Sequence, residues 1–401
     1  MFTAATVTSG ENYSLDLGRN LGKALQDKIG QLPGACWLFC APKQGLKDLL
    51  DGVNETVETR NIIGCTTAGE MSCAGYHRGS AVLGGIASDQ IDFSIAYAEN
   101  LSRNCELAGK QLADRLSPSV QYLQLFTDGI SGNGCAILRG IWSVLGDEVP
   151  IAGGTAGDNG KFHRTWQFAG GKILTDAAVA IGFSGDFHIG TGVRSGWSPI
   201  GLAKKVTRAS GNILYELNGE PALQVYERFL GKHAEKLPAV GVEYPLGLVG
   251  KCLDGDNGDY YLLRATMSVD RQEESIRFAG EIPEGAMVHL TCGDSSSILA
   301  ATTEAARIAD AEIGDADSAM VFFYSCMARK IVLGQRTQEE LDRVREVFGR
   351  QVPVVGFYTY GEYSRVSCDS PSLLHNETAT ISVIGIQDSS LRSQPVESLR
   401  V

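Results

Sequence analysis

The chain has 401 residues, 43% of them apolar, with 35 basic and 47 acidic side chains and a net charge of −12. That length predicts two or three domains that fold without staples. An acidic chain with no lysine- or arginine-rich stripe excludes nucleic-acid binding through counterion release, and no run of ~18 apolar residues is present to span a membrane.

The N-terminal stretch, MFTAATVTSGENYS, lacks the basic-then-apolar order of a leader. Ten cysteines are too few for a disulfide scaffold, so a reduced, cytoplasmic protein is expected. Glycine is the outlier, with 48 residues, about 12% against a usual ~7%.

Leu17, Leu21, Leu25 and Ile29 recur every four residues and predict a helix over 14–30. Residues 35–40 form a short apolar run that reads as a buried strand, and Leu46, Leu49, Leu50 and Val53 mark a helix over 44–59. Residues 61–64 read as a strand entering a glycine loop. Strands at 80–88 and 91–98 and a helix near 104–116 follow. The order then restarts: a strand at 122–126, a helix at 134–145, residues 149–152 entering a second glycine loop, and strands at 164–169, 177–184 and 188–194.

In the second half a strand is expected near 203–216 and a helix over 220–231, with Pro221 at its first position. Strands are expected at 260–268, 274–279 and 286–292. Asp294 is placed to cap an alanine-rich helix over 295–311. A buried strand over 319–326, a helix opened by the capping-box pattern of residues 337–340, and strands at 352–356 and 380–386 complete the chain. The expected fold class is α/β, with mixed β-sheets flanked by helices and repeated strand–helix–strand–glycine-loop units. Two domains are expected, 1–203 and 204–401.

Three loops echo one another: residues 64–70 (GCTTAGE), 152–158 (AGGTAGD) and 356–362 (GFYTYGE). Aligned end to end, they match Thr67 with Thr155 and Thr359, Gly69 with Gly157 and Gly361, and Glu70 with Asp158 and Glu362. A histidine follows each loop: His77, His163 and His375. One reading makes the glycines tight turns between repeated units. The other aims backbone N–H groups at a shared ligand pocket, with threonine and acid fixing it. None of the loops is a P-loop or a dinucleotide fingerprint.

Cys326 and Arg329 follow a buried strand. They read either as interior residues or as a binding pair, the arginine for a ligand carboxylate. Cys326 with His375 as base is the arrangement a cysteine-dependent hydrolase needs. No metal-ligand spacing such as C-x-x-C occurs, but non-covalent haem leaves almost no sequence trace.

Taken in order with residues 127–129 (TDG), 217–222 (LNGEPA), 325–329 (SCMAR) and 375–378 (HNET), these loops resemble the FIST family. That family is a sensory module of an N-terminal and a C-terminal FIST domain. The resemblance implies an intracellular, non-enzymatic ligand sensor whose length leaves no room for an output domain. It would act in trans on a histidine kinase or another signalling protein, and a homodimer is compatible with that role. Stand-alone members imply haem b and nitric oxide sensing, with His77, His163 or His375 as the axial ligand. The alternative is a small metabolite such as an amino acid, held by the three loops with Cys326, Arg329, Tyr360 and Asn376.

Overall fold

The computed structural model describes residues 1–251 and 259–387. Its architecture follows from the repeat. Each of three units runs strand, helix, strand, helix, strand, hairpin, strand. The first unit spans Phe2–Ser9 to Ala81–Ser88, and the second spans Ile91–Glu99 to Ala177–Gly185. The third starts at His188–Arg194 and ends with Ala379–Ile386. In each unit the two strands joined by a helix pair in parallel: Ala35–Cys40 with Ile62–Thr66, Tyr122–Thr127 with Ile151–Thr155, and Asp317–Cys326 with Val354–Thr359. The last strand of the unit returns antiparallel beside them.

The hairpins are exchanged in a ring. The first unit's hairpin, Glu70–Ser72 with Gly75–His77, extends the third unit's sheet. The second unit's hairpin, Gln167–Ala169 with Lys172–Leu174, extends the first. The third unit's hairpin, Glu362–Arg365 with Ser372–His375, extends the second. Three mixed six-stranded sheets result.

Strand alternation explains why the sheets enclose a common interior. Ala35, Trp37 and Phe39 face inward and join Tyr122, Phe126, Phe322, Tyr324 and Phe357 from the other two sheets. Cys36, Leu38 and Cys40 face outward under the helices Leu15–Ile29 and Leu46–Val57. Both faces are covered, so these strands read as continuous apolar runs. Phe39 lies 4.6 Å from Phe357 and 5.3 Å from Phe126, ring centre to ring centre. Trp37 Nε1 donates to Gln124 Oε1 at 2.6 Å, and Tyr122 Oη donates to Ser382 Oγ at 2.7 Å. The apolar interior is thus crossed by polar bonds between sheets.

Strands from Trp197–Ser210 to Met287–Gly293 form a fourth, antiparallel sheet, inserted between the third unit's first strand and its helix Ser295–Glu312. The strand Trp197–Ser210 runs across the expected boundary at 203. The single strand expected over 203–216 is a hairpin of Trp197–Ser210 with Ile213–Leu217. Asp294 caps the helix Ser295–Glu312 as expected, in a capping box with Ser297. No such box opens Thr337–Phe348: Arg336 precedes it without a side-chain cap, and Glu340 turns inward. Among the described residues no helix is long and apolar enough to cross a membrane.

Candidate functional site

A glycine in the middle of each unit's third strand sets the register. A Cβ at Gly64, Gly153 or Gly356 would sit 1.9, 2.1 or 1.8 Å from the carbonyl oxygen of Leu38, Leu125 or Phe323 on the neighbouring strand. No side chain fits there, so the three positions correspond. Counting from them, Thr155 matches Thr66 and Tyr358, while Ala156 matches Thr67 and Thr359. The pairing of Thr67 with Thr155 expected from sequence is therefore shifted by one residue.

The three loops meet at the ring's centre and interlock. Ala68 N–H donates to the carbonyl of Tyr358, Gly157 N–H to that of Thr66, and Tyr360 N–H to that of Thr155. The hairpin register completes the correspondence. Glu70 and Glu362 match Gln167, not Asp158, and His77 and His375 match Leu174, not His163.

In two units the acid is a strut. Thr67 Oγ1 donates to Glu70, whose other oxygen accepts from Ser80 Oγ at 2.8 Å and Ser80 N–H at 3.0 Å. Thr359, Glu362 and Thr378 repeat this, with 2.8 Å and 3.2 Å on the second oxygen. Burial raises both carboxyls, Glu362 to about 7, although these bonds favour the ionised form. In the second unit Ala156 has no hydroxyl and Gln167 replaces the glutamate. Gln167 Nε2 donates to Thr165, and its Oε1 is buried without a partner. Asp158 instead folds its own loop, accepting from the N–H groups of Phe162, His163 and Arg164 and from Tyr360 Oη.

A cleft of about 390 Å³ opens beside this unit that lacks the strut. One wall is Thr127–Gly134, the strand end and the start of the helix Gly134–Leu145. A second is the third unit's Tyr360, Gly361, Tyr363, Leu374 and Asn376, with Thr155 between. The third wall belongs to the inserted sheet and includes Asn212, Arg277, Phe278 and Glu281.

Most polar groups here are satisfied. Asp128 accepts from the N–H groups of Ile130, Ser131 and Asp176. Glu281 bridges to Asn133 and Arg139 across the cleft. Thr155 Oγ1 is buried and has no partner. Arg277 is exposed at the rim and bonds Asn212 at 3.3 Å.

Of the sequence-predicted residues, Thr155, Tyr360, Gly361 and Asn376 line this cleft. Thr67, Gly69, Glu70, Gly157, Asp158, Thr359 and Glu362 do not. Arg329 is spent on the interior. It is fully buried, 2.7 Å from Glu340 Oε1, and also bonds Thr302 and the Ile298 and Ser195 carbonyls. Cys326 is 3% exposed; burial, then the Glu362 and Glu377 carboxyls, push its thiol well above the ordinary value. That environment opposes the thiolate a nucleophile needs. Asp128, Asn133 and the inserted wall join the cleft without having been expected from sequence, where the TDG motif is their one signal.

The three histidines are dispersed. His375 is fully buried with Nε2 2.9 Å from the carbonyl of Ser364, and burial lowers it to about 4. His77 Nε2 lies 3.1 Å from Ser72 Oγ, and His163 is exposed. None lines the cleft, so this arrangement does not fit an axial haem ligand there, which needs a ring nitrogen facing a roomy apolar pocket. Among the described residues no group of three or more His, Cys, Asp or Glu is placed to hold a metal ion.

The family models cover most of this ring of three exchanged α/β units and its inserted sheet. A FIST N domain matches residues 34–220 and a FIST C domain matches residues 222–365. The chain is thus a FIST-domain protein. It is 26% identical over 386 residues to the uncharacterized protein MJ1623 of Methanocaldococcus jannaschii, covering 86% of this chain and 72% of that one. The uncharacterized protein Rv0628c of Mycobacterium tuberculosis is 23% identical over 240 residues, 58% of this chain and 60% of that one. Among solved structures, the cyanuric acid hydrolase of A. caulinodans aligns over 97% of this chain and 100% of its own, with 9% identity and a TM-score of 0.35.

Proposed function

We propose that this chain is a ligand-sensing module for a small polar metabolite, bound in the cleft between the second and third units and the inserted sheet. The observation that carries this reading is the broken symmetry. The first and third units close their loops with a threonine–glutamate strut; the second, which lacks it, forms a wall of the cleft, where Thr155 Oγ1 is unpartnered. Buried polar groups are normally satisfied, so an unpartnered hydroxyl on a cavity wall favours a ligand.

Signalling would follow from the inserted sheet. Its chain enters and leaves the third unit around Gly196 and Asp294, Arg264 donates to the Leu374 carbonyl, and it faces the cleft. A ligand touching both sides favours the closed arrangement, provided it binds the two states unequally. The partner class is the one the family resemblance implies, a histidine kinase or another signalling protein acting in trans.

A thermal-shift screen of metabolites, amino acids included, tests the reading, because a ligand of the native state alone raises the melting temperature. A flat screen at millimolar concentrations overturns it. Haem reconstitution is the complementary measurement. A Soret band that moves with nitric oxide and is lost on replacing His77, His163 or His375 would substitute a haem-based sensor for the cleft.

A further inference from the structure

The ring repeats one contact three times, and at one of these places a lysine fills the space. Where the first unit's loop meets the third unit, Lys330 Nζ donates to the carbonyl of Ala68. The same Nζ lies 5.7 Å from the centre of the Tyr358 ring and 5.8 Å from that of Tyr76.

The register carries each of these partners onto a cleft residue. Tyr358 corresponds to Thr155, and Ser325 beside it to Thr127. Ala68 corresponds to Tyr360 through the interlocking N–H bonds, and Tyr76 to Leu374 through the hairpin pairing. Thr127, Thr155, Tyr360 and Leu374 all line the open cleft. The helix Met327–Leu333 delivers Lys330 in the third unit, whereas the corresponding stretch of the second unit is the loop leading to Gly134. The cleft is the same socket without its plug.

We propose that the cleft takes its ligand through a primary ammonium group, seated as Lys330 Nζ is seated in the related socket, against the Tyr360 carbonyl and the Thr155 hydroxyl. This rests on the cleft being the ligand site. The unpartnered Thr155 Oγ1 supplies an acceptor. The carboxylates of Asp128 and Glu281 line the same cleft, and among the described residues the one cationic side chain on its walls, Arg277, stands at the exposed rim.

The two sockets differ in their charged neighbours. Burial, then the positive charge of Arg78, lower Lys330 to about 8, while Glu70 opposes them. The residue matching Arg78 in the cleft is Asn376, a neutral amide, and the nearby buried cation, Arg264, is held by the Leu374 and Glu281 carbonyls.

Ligand-observed NMR of the full chain with n-butylammonium, n-butanol or butyrate tests the seat, on the wild type and on Thr155→Val. Loss of a hydrogen bond to a charged group should weaken n-butylammonium by about tenfold in the variant. The acidic surface attracts any cation, and the variant separates that background from the seat. The expected result is n-butylammonium binding about tenfold tighter than the alcohol or the carboxylate, sensitive to Thr155→Val. Butyrate binding as tightly, or n-butylammonium binding unchanged by the variant, overturns the ammonium seat and leaves the cleft standing. Absence of binding by all three overturns the seat, and the cleft itself falls if the metabolite screen is also flat.

Discussion

Replacing Glu377 with glutamine should stabilise the protein, and by more as the pH rises. Glu377 is fully buried, neither carboxyl oxygen has a hydrogen-bond partner, and its φ is 61°. Burial pushes its pKa well above the ordinary 4.5, the neighbouring Glu362 adds to this, and Arg329 opposes it. A carboxyl raised in the folded state contributes fully below its unfolded pKa and loses that contribution as the pH rises toward the folded value.

Within that window the native state holds a proton the unfolded chain has released, which costs about 1.4 kcal/mol per pH unit for each such group. For Glu377 that cost builds from its unfolded value up to its raised folded one. His375 acts in the opposite sense. Burial lowers it from 6.5 to about 4, so its contribution is lost as the pH falls through that interval.

The two trends oppose each other in any single stability curve, but the histidine is common to both proteins and cancels in their difference. Urea denaturation from about pH 5 upward should show Glu377→Gln gaining about 1.4 kcal/mol per pH unit over the wild type until the folded Glu377 ionises. A difference that does not change with pH would mean that Glu377 ionises as readily folded as unfolded, and would refute the reasoning from burial.

Thr67→Val and Thr359→Val each remove the hydroxyl from a buried carboxylate and should cost about 1–3 kcal/mol. Thr155→Val removes a hydroxyl with no partner and should stay within about 0.5 kcal/mol; equal losses in thermal melts would contradict the strut. Gly153→Ala puts a Cβ 2.1 Å from the Leu125 carbonyl at φ 144°. A cost of about 3 kcal/mol or more is expected there, read as lost soluble yield and a lowered melting temperature. Arg329→Met strands Glu340 without its cation and should cost about 3–5 kcal/mol, partly recovered on adding Glu340→Met. A double mutant no better than the single one would argue against the ion pair. Iodoacetamide at neutral pH should label the exposed Cys368 well before Cys326, as followed by peptide mass spectrometry; comparable rates would contradict the raised thiol.

Much of the repeat was legible in sequence, because glycine at the strand centre and apolar runs on doubly covered strands leave plain marks. Its register was not. The second unit carries residues 158–166 between its loop and hairpin, and the acid at the end of its loop motif, Asp158, hides Gln167, the true counterpart of the glutamates. The histidine after each loop misleads in the same way, since His163 answers to nothing in the other hairpins and Leu174 answers to His77.

The first strand, Phe2–Ser9, and the hairpin strands Glu70–Ser72 and Glu362–Arg365 lack a period to detect, whereas the strand expected over 164–169 is found at Gln167–Ala169. The cleft was out of reach for another reason. Its walls come from the second unit, the third unit and the inserted sheet, and only the fold brings Asp128, Asn376 and Glu281 together.

The exchange of hairpins also dictates an order of assembly. As the chain emerges from the ribosome, the first sheet stays unfinished until residues 167–174 have been made. The first hairpin, at 70–77, has no sheet to join until residues 354–359 arrive. Contacts that distant make for slow folding. They also mean that a cut anywhere in the ring leaves raw strand edges on both fragments. Separately expressed halves should therefore be aggregation-prone until each meets the other.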